Sequence, residues 1–75
     1  MRAITARQMQ VLEFIKQFIT DNGFPPTNVE IAKHFEFKSA NASLDHLTKL
    51  VKKGYILRRY GLSRGISLTG KELVK

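Results

Sequence analysis

Cysteine is missing from the 75 residues, and with it go a disulfide framework, a thiolate zinc site and a cysteine nucleophile. No apolar run approaches the roughly 18 residues that span a bilayer. Met1-Arg2-Ala3-Ile4-Thr5 leads straight into a helix signal, without the apolar core of a signal peptide. No glycine-rich loop follows a strand, so a phosphate cradle of the nucleotide-binding kind is not expected. The chain is also too short for a cleft between lobes. Only one small domain fits, with a stability of about 4–11 kcal/mol at this length. The apolar share of 43% nevertheless suffices for a packed core and excludes wholesale disorder.

Acid is scarce, and scarce in one place. Residues 1–37 balance four basic side chains (Arg2, Arg7, Lys16, Lys33) against four acidic ones (Glu13, Asp21, Glu30, Glu36). Residues 38–75 carry nine basic and two acidic side chains, so the whole formal charge of +7 belongs to the second half. A one-sided excess of this kind suits a polyanion partner, nucleic acid before an anionic membrane surface. A merely solvated lysine face would give the same composition.

The punctuation divides the chain into three helices and a hairpin. Thr5-Ala6-Arg7-Gln8 has capping-box spacing, and Val11, Leu12, Phe14, Ile15, Phe18 and Ile19 then fall within about 160° of one helix face. Asn22-Gly23 is a stop, which predicts helix one over 7–21. Pro25-Pro26 forces an extended link. Thr27-Asn28-Val29-Glu30 is a second capping box and opens a helix over 28–35, with Ile31, Ala32 and Phe35 inward. Glu36-Phe37-Lys38 forms a turn in which Phe37 plugs the core, and Ser39 is the next N-cap. Leu44, Leu47, Leu50 and Val51 make the apolar stripe of helix three; Asn41, Ala42, Asp45, Thr48, Lys49 and Lys52 make its other face. Lys52-Lys53-Gly54 ends it. Tyr55 to Tyr60 reads as a strand, Gly61-Leu62-Ser63 as a turn and Arg64 to Leu68 as the returning strand. Tyr55 is expected inward and Tyr60 half exposed. Residues 69–75 are polar and read as a flexible tail or the start of a linker.

The expected fold class is therefore mainly α with a small β-hairpin, a three-helix winged helix-turn-helix over residues 1–68. Its physics suits double-stranded DNA. One helix fits a major groove about 12 Å wide. The leading turns of helix three would enter it, where Asn41 could pair with adenine, Asp45 could accept from cytosine N4 and Ala42 could touch a thymine methyl. Lys49, Lys52 and Lys53 lie further along and suit phosphates, which set affinity and register rather than sequence. A basic wing would carry Arg58, Arg59 and Arg64 to the backbone or minor groove, although strand alternation sends Arg58 and Arg59 to opposite faces. Arg7, unfavourable for the dipole of helix one, suits an outside anion.

Thr5-Ala6-Arg7-Gln8, Pro25-Pro26-Thr27, Glu30-Ile31-Ala32, Phe37-Lys38-Ser39, Asn41-Ala42, His46-Leu47, Lys53-Gly54 and Ser63-Arg64-Gly65-Ile66 stand in one ungapped register over about residues 1–68. In that set the chain resembles the N-terminal DNA-binding domain of the LexA repressor family. The resemblance implies a bacterial or phage transcriptional repressor on an operator of dyad symmetry, cytoplasmic and associated with the nucleoid. It implies base reading by Ser39, Asn41, Ala42, Leu44 and Asp45, with Lys38 and Ser63 joining the backbone contacts. Three positions depart from the family pattern. Asp45 is a shorter acid than its usual glutamate. Glu36 replaces a common turn glycine, so the turn is expected to differ in backbone. Leu44 replaces an acid and cannot accept from cytosine, which implies an operator other than the family's usual CTGT half-site. The family also carries a C-terminal domain that dimerises and self-cleaves with a Ser–Lys pair. The sequence stops at Lys75, so it reads either as an excised domain or, the favoured expectation, as a small stand-alone regulator. Symmetry on DNA would then come from a homodimer or from a partner regulator.

Enzyme readings are weak. His34 and His46 lie on different helices and read as surface and packing residues. Ser39 and Ser63 read as cap and turn, not as half of a Ser–Lys pair with Lys53. No cofactor, metal or small-molecule ligand and no membrane contact is expected. Two rival binding roles remain, an adaptor that docks on another regulator or a polymerase subunit, and a DNA binder without sequence preference.

Overall fold

Two of the three helices begin at reciprocal caps. In the computed structural model, which describes residues 4–59, 61, 62 and 64–70, α1 (Ala6–Asn22) starts where Thr5 Oγ1 accepts the Gln8 N–H at 3.1 Å and Gln8 Oε1 accepts the Thr5 N–H at 3.2 Å. Its last turn closes through the left-handed Gly23, φ 82°, whose N–H donates to the Ile19 carbonyl at 2.8 Å. The same box opens α2 (Asn28–Phe35), with Thr27 and Glu30 exchanging bonds of 2.9 and 3.1 Å.

The α2–α3 turn departs from expectation in a useful way. Glu36 takes φ 58° and ψ 39°, the left-handed geometry that glycine usually supplies. A glutamate here thus takes the conformation of a C′ glycine. The Phe37 N–H reaches back to the Ala32 carbonyl at 2.9 Å and the Glu36 N–H to Lys33 at 3.3 Å, a Schellman closure. In α3 (Ala40–Lys52), Ser39 occupies the N-cap position but makes no capping hydrogen bond; its carbonyl accepts the Ala42 N–H at 3.2 Å instead. A second Schellman closure ends this helix, with the N–H groups of Tyr55 and Gly54 on the carbonyls of Leu50 and Val51, both at 3.0 Å.

The hairpin is shorter than its sequence suggests. Strands β1 (Ile56–Arg58) and β2 (Ile66–Leu68) pair antiparallel with Leu57 opposite Ser67. The Arg59 N–H still bonds the Gly65 carbonyl at 2.8 Å, but the two backbones then come so close that a β-carbon on Gly65 would lie 2.5 Å from the Arg59 carbonyl oxygen. Tyr60 and Ser63 lie outside the described residues, as do 71–75. Thr69, expected to open the tail, belongs to the fold: its hydroxyl donates to the Gly54 and Tyr55 carbonyls at 2.7 and 3.0 Å.

Every element contributes to one core. Val11, Leu12 and Ile15 from α1, Ile31 from α2, Leu47 and Leu50 from α3, Ile56 from β1 and Ile66 from β2 are shut off from solvent, with Phe14, Phe35, Phe37, Leu44, Val51 and Tyr55 packed around them. The order and packing are those of a winged helix-turn-helix, with α2 and α3 as the paired helices and the hairpin as the wing.

Two substitutions should move stability in opposite directions. Leu47→Ala removes a fully buried leucine and should cost about 2–5 kcal/mol, a large part of the total. Glu36→Gly relieves a left-handed residue and should add about 0.5–1 kcal/mol after the entropy of the freer unfolded chain is counted. Thermal unfolding followed by circular dichroism checks both, and a Glu36→Gly midpoint below wild type would contradict the strain.

Candidate nucleic-acid interface

Burial fixes which way α3 faces. Ser43, Leu47 and Leu50 lie along its inner line and Leu44 and Val51 along one inner flank. Asn41, Asp45, Thr48, Lys49 and Lys52 are exposed on the outer side, and Ala42 is half-buried beside them. The outer strip therefore presents an amide, a carboxylate, a hydroxyl and two ammonium groups in line. Asp45 Oδ2 and Lys49 Nζ stand 3.3 Å apart, one helical turn from each other. Leu44, expected among the base-reading positions, is instead half-buried and packs against the core. Its position 100° round the helix from Ser43 brings it within reach of that apolar surface.

The head of α3 is open. Ser39 is exposed, with its hydroxyl unused by the helix, and with Lys33 and Lys38 it borders a hollow of about 440 Å³ between α2 and α3. The amides of the first turn and the positive end of the helix dipole meet this side. At the other end the fold assembles a second cationic group that periodicity alone does not reveal. Lys49, Lys52 and Lys53 line a hollow of about 470 Å³ together with Thr5 and Gln8 at the start of α1. Lys53 Nζ donates to Gln8 Oε1 at 2.7 Å across 45 positions of sequence. The N-terminus of one helix thus joins three lysines of another, a setting with the right sign for an anion. The capping box alone was visible in the sequence; its meeting with Lys53 is a product of packing.

Two arginines expected to reach outward are engaged within the domain. Arg64 grips Glu30 with both nitrogens at 2.8 and 2.9 Å, donates to the Pro25 carbonyl at 2.8 Å and lies 4.6 Å over the Phe24 ring. In this structure it fastens the wing to the α1–α2 link. Glu30 caps α2 at the same time, and the guanidinium holds its carboxyl down at about 2. Arg7 lies over Phe35 and Phe37 at 5.5 and 5.7 Å, so these rings account for its position without an outside anion. Arg58 is half-buried in β1, Arg59 is exposed at the start of the loop, and Ser63 lies outside the described residues.

The histidines belong to an aromatic array. His34 stacks on Phe14 at 4.2 Å and meets Phe35 at 4.7 Å, and Phe37 and His46 continue the row in two steps of 5.4 Å. Burial lowers the His46 pKa, and its Nδ1 is enclosed without a hydrogen bond. Among the described residues no group of three or more metal-ligating side chains comes together, and no helix is long and apolar enough to cross a membrane.

The model of the LexA DNA-binding domain matches residues 1–65. The LexA repressor of Shewanella sediminis is 56% identical over 69 residues, which cover 92% of this chain and 34% of that protein. That of Shewanella piezotolerans is 54% identical over 72 residues, 96% of this chain and 35% of the relative. That of Colwellia psychrerythraea is 52% identical over 73 residues, 97% and 35% respectively. The chain spans about a third of the length of the curated relatives it matches.

The Glu30–Arg64 pair should be visible in acid. With a folded pKa near 2 against an ordinary 4.5, Glu30 adds stability that is fully present above about pH 4.5 and drains away as the pH falls toward 2. His46 is depressed as a base, so its share is present above about pH 6.5 and shrinks below it. Glu30→Gln should flatten the acid limb of a stability–pH profile below pH 4.5 and leave the part near pH 6 unchanged. An unaltered limb between pH 4.5 and 2 would remove the pair as its source.

Proposed function

The chain belongs to the LexA DNA-binding domain family, and from that premise we propose that it is the operator-binding part of a transcriptional repressor that reads double-stranded DNA in the major groove with α3. One observation carries the reading: α3 is anchored by a buried line and turns a continuous polar and cationic strip outward, from Asn41 to Lys52. Asn41, with two donors and a carbonyl acceptor, addresses adenine; Ala42 offers a methyl to thymine; Asp45 accepts from cytosine; the free hydroxyl of Ser39 borders the same edge. Lys38 at the head, and Lys52 and Lys53 with the first turn of α1 at the tail, bracket this strip as phosphate contacts. Arg59 and Ser63 carry the wing toward the backbone or minor groove, and Arg64 holds the wing's base while they do. Dimerisation on a dyad operator, or pairing with a second regulator, accounts for two half-sites; the working place is the bacterial nucleoid in the cytoplasm. Position 44 supplies no carboxylate, so the half-site differs from CTGT. The adaptor reading draws on less, because Leu44, one of the two leucines that would form its patch, packs against the core.

Salt titration on specific and random duplexes separates the readings. About four phosphate contacts predict a log–log slope near −3.6, roughly a 10²-fold loss between 50 and 200 mM salt. Asn41→Ala should erase the preference between duplexes, while Lys53→Ala should weaken all of them alike and shallow the slope by about 0.9. A flat salt response would favour the adaptor, and equal affinity for every duplex a binder without sequence preference.

A further inference from the structure

Lys49 shares the hollow at the start of α1 with Lys52 and Lys53, but its ammonium is bonded to a carboxylate of its own helix. A lysine meant for phosphate would extend away from the strip that faces base edges. Lys49 does the reverse. Its side chain runs back toward the N-terminal end of the helix and brings Nζ to 3.3 Å from Asp45 Oδ2. At 100° per residue it is only about 40° round the helix from Asp45 and about 20° from Ala42. Both partners remain wet, with side-chain exposures of 52% for Lys49 and 63% for Asp45, so neither is consumed by the fold. An exposed pair of this kind contributes little to stability.

We propose that Asp45 and Lys49 act as one reading unit for a single C·G base pair, with Lys49 as a specificity-determining residue rather than a phosphate contact. This rests on the major-groove reading above. In the groove, cytosine N4 is a donor and guanine O6 the acceptor beside it. The two are hydrogen-bonded to each other, so they lie about 2.9 Å apart. A carboxylate oxygen and an ammonium 3.3 Å apart present the complementary order at nearly the same spacing. Asp45 accepts from N4 while Lys49 donates to O6, and the remaining ammonium protons reach guanine N7. An A·T pair also places a donor, N6, beside an acceptor, O4. Where guanine then has N7, thymine has its methyl, which faces the ammonium with carbon. The inverted G·C pair sets acceptor against carboxylate and donor against ammonium, and is refused on both counts. The pairing of the two side chains also tempers a cost: Asp45 alone would carry an unpaired negative charge into a groove lined by phosphates, and Lys49 neutralises it.

Selection from a randomised duplex pool with the 75-residue chain tests this. Lys49→Met keeps the length of the stem and removes the charge; Asp45→Asn keeps the shape and removes the carboxylate. The wild-type chain should enrich a motif with one strongly fixed C·G pair. Each variant should lose on the order of 10- to 100-fold discrimination at that pair and keep the rest of the motif. The double variant should lose no more than either single one, because the two groups read one feature. A motif that survives Lys49→Met intact overturns the inference, as does a uniform loss of affinity with a salt slope shallower by about 0.9, the mark of a phosphate contact. A wild-type chain that enriches nothing overturns the sequence-specific reading itself, and the inference with it.

Discussion

Leu47 and Leu50, shut off from solvent among Ile15, Ile31 and Ile56, fix the rotation of α3 about its own axis. Nothing else in the interface has meaning until that rotation is set. A half-turn would bury Asp45 and Lys52 and bring Leu47 and Leu50 to the outside. The cost of enclosing an unpaired carboxylate, against about 1.5–3 kcal/mol for each large aliphatic side chain enclosed in its place, makes that alternative inaccessible to a domain of this size. The hydrophobic core is thus what aims the polar strip, and α1, α2 and the hairpin serve chiefly to surround those two leucines.

Charge is then distributed by the same packing. The sequence shows a basic second half, but the fold sorts its cations into two groups with different work. Arg64, with Glu30, Pro25 and Phe24, is spent on holding elements together, and Arg7 from the first half is spent on the aromatic row. Lys49, Lys52 and Lys53 stay with α3 and meet the start of α1, where the helix dipole adds to their field. A count of basic residues overstates the electrostatic footprint for this reason. The working positive surface lies along α3 and at its two ends.

The local signals in the sequence were legible. The cap spacings of Thr5-Gln8 and Thr27-Glu30 placed two helix starts within a residue, because a cap is a bond between neighbours three positions apart. The inner and outer faces of α3 followed from its period, and Asn41, Asp45, Lys49 and Lys52 stand outside as that period requires. What escaped depends on distant partners. Arg64 finds Glu30 34 positions away and Lys53 finds Gln8 45 away, and periodicity carries no information about either meeting. Leu44 lay on the border of its stripe, where a few tens of degrees decide between core and solvent. The Glu36 turn eluded a propensity argument because the Schellman closure from Phe37 to Ala32, with the Phe37 ring packed against the core, overrides the reluctance of a single residue to go left-handed.

One carboxylate, that of Glu30, both caps α2 and receives Arg64 from the wing. The hairpin is therefore no detachable ornament. A fragment cut after α3 would leave the acid without its guanidinium, strip Ile56 and Ile66 from the shared interior, and loosen the first turn of the helix that precedes the recognition element. Anyone grafting α3 onto another scaffold to borrow its specificity would need to carry the chain through Thr69, where the last clasp to Gly54 and Tyr55 is made.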